Sequence, residues 1–253
     1  LRSDDEVFFL EPVFEQSGGD GGDEPGGGGG GGSGGDSGAG SCFNADLVRD
    51  GTRLVASYRS VNSDGTATFD QEQEAFGGAS YEGKPARQII IDLEITGDIF
   101  STARIESFAQ VDVTKMRVKN LYSKTDVFSP EAATIEVRFE PPQLERFDLE
   151  PGESYSQTYV ADERTNARGQ TFTQSIEVTD TTTYIGRRTV TVPAGTFETC
   201  LFESESRITG PFPAGGVSQF WFSVGTGLLV KEIGENGRDS TELLSAKING
   251  KSI

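Results

Sequence analysis

The chain has 253 residues, 34% of them hydrophobic, and a formal net charge of −18. That apolar share supports a folded core, while the acidic balance excludes nucleic acid and anionic membrane surfaces as partners, since both need basic patches. There is no histidine, which removes Ser-His-Asp and Cys-His catalysis and imidazole-based zinc sites together.

The N-terminus reads "LRSDDEVFFLEPVFEQ". Asp4, Asp5 and Glu6 stand where the basic region of a signal peptide belongs, and the single Met is Met116. A processed product whose export signal has been removed is therefore expected. No window approaches the ~18 apolar residues of a transmembrane helix. Yet Val7, Phe8, Phe9, Leu10, Val13 and Phe14 crowd six large apolar side chains into eight positions. Residues 17–40 then hold 15 glycines in 24 positions, a flexible tether. The apolar run can be a loose tail, a strand folded back onto its own domain, or a strand donated to a neighbour. Donation suits the pattern: Phe8, Leu10 and Phe14 share one face of an extended segment, which can enter pockets along an open sheet edge.

From residue 41 onward the chain alternates as strands do. "RLVASYRSV" leads into the turn "NSDGT", followed by "ATFDQEQEAF" and "ARQIIIDLEIT" with "GGASYEGKP" as a connection. "ARIESFAQVDV" and "KMRVKNLYSKTDVF" end at Pro130, and "ATIEVRFE" is expected to stop at Pro141-Pro142. Pro151-Gly152 marks a turn. The segment 169–209 reads as three strands, and "SQFWFSV", "GLLVKEIGE" and "STELLSAKI" complete the chain. About twelve strands at short intervals predict an all-β, antiparallel sandwich or strongly curled sheet with little helix. Cys42 and Cys200 are the two cysteines, in no metal-type spacing. In an apparently exported chain they are expected to form a disulfide.

At "VTVPAGTFETCLFES" (190–204) and "FWFSVGTGLLVKEIGENGRDSTELLS" (220–245) the sequence resembles a group of uncharacterised bacterial exported β-rich proteins, many of them lipoproteins. Their pattern runs VPAGTF, a nearby Cys, an aromatic pair, G-x-G-x-x-V-K and a closing E-L strand. "CFNADLVRDGTRLVASYRS" (42–60) is similar to that group's opening segment. The resemblance covers most of 42–249 and implies an all-β exported protein with no catalytic residues to carry over. Where lipoprotein members place a lipidated Cys ahead of the spacer, this sequence has the apolar run.

No chemistry-bearing motif emerges. Glu203/Glu205 and Glu72/Glu74 put two carboxylates on one strand face, which a glycosidase or a calcium site could use, but a solvated outer face explains them better. "GGDGGD" (18–23) matches a glycine-rich calcium repeat once, whereas such repeats bind only in series. Phosphate-binding glycine loops are absent.

The sequence thus divides into a donor-strand arm (1–16), a glycine-rich tether (17–40) and an all-β domain (41–253). The function it predicts is non-enzymatic: an exported subunit, extracellular or at the cell surface, that polymerises head-to-tail with identical subunits by strand donation. The alternative is a monomeric envelope β-protein, in the periplasm or on the surface, holding an apolar ligand or a partner protein. No cofactor or metal is expected.

Overall fold

The structure, a computed structural model, describes residues 37–62, 65–97, 100–209, 213–234, 237 and 239–253. The expected arm, most of its tether, and the proposed contact residues Val7, Phe8, Phe9, Leu10, Val13 and Phe14 lie outside the described residues.

Two short 3₁₀ turns, Ala39–Cys42 and Ala45–Val48, precede the sheet. The first strands are β1 (Arg53–Asn62), β2 (Gly65–Tyr81), β3 (Lys84–Thr96), β4 (Ser101–Asp112) and β5 (Arg117–Ser129). Next come β6 (Ala133–Arg146), β7 (Ser154–Ala167), β8 (Gln170–Val192) and β9 (Gly195–Thr209). The chain ends with β10 (Ala214–Ser223), β11 (Leu229–Ile233), β12 (Ser240–Ile248) and the two-residue β13 (Lys251–Ser252). Period-2 burial follows the alternation of the sequence: in β1, Leu54, Ala56 and Tyr58 are buried while Arg53, Val55 and Arg59 face water.

Each strand pairs antiparallel with its neighbour in sequence, and β12 returns to pair with β1, with Leu54 opposite Ile248 and Tyr58 opposite Leu243. The domain is therefore a closed up-and-down barrel of twelve strands: the expected curled sheet closes on itself, and the sandwich expected beside it does not form. Closure comes from bulges in long strands. Register shifts occur at Ser57/Tyr58, Phe76/Ala79, Phe108/Ala109 and Tyr184/Gly186, and each sharpens the local twist until the two ends of the sheet meet.

Three local expectations change with it. The glycines of "GGASYEGKP" do not break the strand: β2 runs through a bulge at Gly77-Gly78 to a tight turn at Glu82-Gly83, both at positive φ. The segment 169–209 forms two strands rather than three, because β8 continues for 23 residues through Gly186. Pro141-Pro142 does not end β6, which stays paired to β5 as far as Arg146.

The outer wall carries ion pairs such as the two-pronged Arg104–Asp92 pair at 2.7 and 2.9 Å. No helix among the described residues is long and apolar enough to cross a membrane.

One end of the barrel is sealed. Gln73 donates to Leu47 O, Gly225 N donates to Ser41 O, and Asn44 Nδ2 donates to Thr226 O at 2.9 Å. Ala39 N reaches Leu149 O at 2.9 Å, and the Tyr184 hydroxyl donates to Ser37 O. Cys42 and Cys200 are joined across 158 residues of sequence, as expected, and both are buried. The segment 37–48 is thus a lid tied to β2, β8, β9 and the loops that follow β6 and β10. The motif glycines find their reason here. Gly227 has φ +68, and a Cβ on it would sit 2.9 Å from Asn44 Cβ and 3.0 Å from Cys42 O. Beside the lid, the tip of the β8–β9 hairpin bends in, with Ala194 N donating to Leu243 O and Val192 packed in a core with Leu54, Ala56 and Leu243.

Candidate functional site: a lateral cleft between β6 and β7

β6 and β7 pair only from Ala133/Ala167 to Glu140/Val160. Beyond Glu140 the two strands part, at the point where Pro141 and Pro142 enter β6. Proline has no N–H to give a neighbouring strand, so this stretch tolerates a one-sided position. Opposite it, β5 skips Leu121 between partners: Tyr122 faces Arg138, and Asn120 faces Gln143. The wide bulge on β6 swings residues 143–146 away from β7.

Side chains hold the gap. Leu144 N donates to Gln157 Oε1 at 2.7 Å, and Gln157 Nε2 donates to Leu144 O at 2.9 Å. The Tyr155 hydroxyl also donates to Leu144 O at 2.9 Å. One amide side chain therefore supplies the donor and acceptor that a paired strand would have offered, so the opening leaves no orphaned backbone group at Leu144.

Behind the gap lies a cleft, partly open to solvent, whose unfilled interior is about 80 Å³. Its floor is aromatic: Phe147, Phe202 and Phe222 meet edge-to-face with centroids 5.5 to 5.8 Å apart. Tyr155, Tyr159 and Phe220 continue the apolar wall. The rest is polar. Gln143 Nε2 donates to the Tyr159 hydroxyl at 3.2 Å, and Ser206 donates to Asp180, which is only 5% exposed. Ser204, Ser218 and Thr182 complete that wall.

The charges are unevenly matched. Arg146 stacks on Tyr155 and donates to Asp148 at 2.8 Å, and Arg117 donates to the same carboxyl at 2.6 Å. Burial pulls Asp148 upward, but these two bonds outweigh it and hold its pKa at about 2. Glu145 is different. Burial pushes its pKa up to about 7, and the 2.6 Å bond from Asn120 only partly opposes that. A carboxyl in that state can hold a proton or a cation at neutral pH.

The residues singled out in the sequence fall elsewhere. Glu72 and Glu74 point outward, Glu72 to Arg53, and Glu203 accepts from Gln219 on the same outer face. Trp221 is also on the outer face, whereas Phe222 enters the cleft floor. Among the described residues no three acidic or cysteine side chains gather as a metal site. The cleft residues were missed because "QLERF" and "YSQTYV" mix polar and apolar side chains on one face, giving no core signal. The repeat Tyr155-x-Gln157-x-Tyr159 is the trace that could have marked a shared inward face.

No family model matches the chain, and no curated protein does. Among solved structures it is similar to a protein described as exported, with a YmcC-like fold, from Bacteroides fragilis NCTC 9343, at a TM-score of 0.45 and 13% identity. It is also similar to a protein described as a lipoprotein from Parabacteroides distasonis ATCC 8503, at a TM-score of 0.46 and 12% identity. Each alignment covers 79% of this chain and 96% of the other.

Proposed function

We propose that this is a non-enzymatic exported protein of the bacterial envelope that holds a small amphiphilic molecule in the cleft between β6 and β7. The supporting observation is the self-satisfied opening. Gln157 closes the backbone account of Leu144 while leaving a route to an aromatic floor, which is the make-up of a ligand site rather than of a packing defect. The lid and its disulfide favour the same reading, since they shut one end of the barrel, and the side opening offers an entrance. Export follows from the resemblance and from the disulfide.

The test is saturable binding of the neutral probe N-phenyl-1-naphthylamine to the full chain, read by its fluorescence, with Ser204→Trp filling the cleft. Binding by the wild type that is lost in a folded Ser204→Trp protein is expected. Absence of saturable binding, or equal binding by that variant, overturns the reading.

Strand donation is the second proposal. The apolar run at 7–14 favours it, and residues 141–146 of β6 are the stretch of sheet nearest to an acceptor. There the arm must displace Gln157 from Leu144 and make do with two prolines that offer no N–H. That cost is why the ligand reading is preferred.

A further inference from the structure

We propose that the molecule held in the cleft carries a protonated amine, which pairs with Glu145 while its apolar body lies on Phe147, Phe202 and Phe222. The inference rests on the ligand-binding reading above and adds the ligand's charge.

The cleft itself selects that charge. Glu145 is largely buried and lines the cleft, so a group that enters the cleft comes up against it. Its hydrogen bond comes from the neutral Asn120 amide, which leaves the negative charge without a matching positive one when the carboxyl ionises. Arg146, the basic residue among those lining the cleft, is turned to Asp148 at 2.8 Å and to Glu153 at 3.8 Å. A carboxylate on a ligand would therefore find Arg146 taken and would meet Glu145 and Asp180. An ammonium would meet them favourably, beside ring faces that also attract cations. A neutral ligand would use the aromatic floor alone.

Glu145 shares its surroundings with Asn120 of β5, Tyr155 and Tyr159 of β7, and Asp180 of β8, with Arg146 and Asp148 following on its own chain. Tyr155 feels the charge of both Glu145 and Asp180. A cation bound here must first displace the proton that burial keeps on Glu145 near neutrality. Its affinity accordingly rises with pH through the neutral range, and binding releases a proton.

The experiment uses three compounds of one shape, 2-naphthylmethylamine, 2-naphthylmethanol and 2-naphthoate, competed against the neutral probe on the full chain. At pH 8 the amine should bind about tenfold more tightly than the alcohol, and the carboxylate most weakly. The amine's affinity should fall about tenfold on going to pH 6, with the alcohol's unchanged. Glu145→Gln should bring the amine down to the level of the alcohol and remove the pH dependence. Equal binding of amine and alcohol, or an amine preference that survives Glu145→Gln, overturns the charge assignment and leaves the cleft as an amphiphile site. Failure of all three compounds and of the probe overturns both.

Discussion

Gln157 stands in for a strand beside Leu144, accepting from its N–H at 2.7 Å and donating to its carbonyl at 2.9 Å. Two bonds from one side chain let the barrel wall part without leaving that residue's polar backbone unpaired. The opening between β6 and β7 gives on to the aromatic floor and lies beside Glu145.

Replacing Gln157 with Leu should therefore cost about 1–3 kcal/mol, because Leu144 N–H loses its partner and the carbonyl keeps only Tyr155. Urea midpoints of the two proteins measure it. A midpoint equal to that of the wild type would mean that water replaces the amide freely.

Two carboxyls give opposite pH signatures. Glu145, raised from 4.5 to about 7, keeps a proton in the folded state that the unfolded chain releases. Stability should fall as pH rises from 4.5 to 7 and level off above. Glu145→Gln should thus match the wild type near pH 4 and exceed it by roughly 1–3 kcal/mol at pH 8. Thermal unfolding at the two pH values checks it, and a variant less stable than wild type at pH 8 contradicts the argument.

Asp148, lowered from 3.8 to about 2 by Arg146 and Arg117 against the pull of burial, acts in the other window. Its stabilisation, about 2 kcal/mol, is present above pH 4 and lost as pH falls toward 2. Asp148→Asn should show that loss already at pH 7 and a flatter acid limb. An acid limb identical to that of the wild type would remove Asp148 as its source.

The lid predicts a stability effect far from the cleft. Opening the Cys42–Cys200 bond, which spans 158 residues, should cost roughly 2–5 kcal/mol. Denaturant unfolding with and without reductant measures this, after peptide mapping under non-reducing conditions recovers the linked pair. Unchanged stability on reduction would show that the hydrogen bonds of segment 37–48 suffice to hold the end shut.

The arm separates the two functional proposals. Deleting residues 1–16 should turn polymers into monomers if the chain donates a strand, as size-exclusion chromatography and negative-stain images would show. If the chain is a ligand-binding barrel, full-length and truncated proteins should elute alike as monomers and bind the neutral probe alike.

Alternation of small runs such as Leu54, Ala56 and Tyr58 was enough, by itself, to establish an all-β antiparallel domain of about twelve strands, because side-chain period depends only on near neighbours. Two cysteines in an apparently exported chain likewise sufficed for their pairing. Closure of the barrel was not legible, since it is the sum of bulges at Ser57/Tyr58, Phe108/Ala109 and Tyr184/Gly186, each small and spread over separate strands. The prolines at 141 and 142 announced a break in pairing but not which of two neighbours would be lost. Only the folded barrel decided that β6 keeps β5 and leaves β7, which brings Asn120 to Glu145 and Gln157 to Leu144. Those meetings depend on the register between strands, a quantity set by the twist of the whole sheet rather than by any local run of sequence.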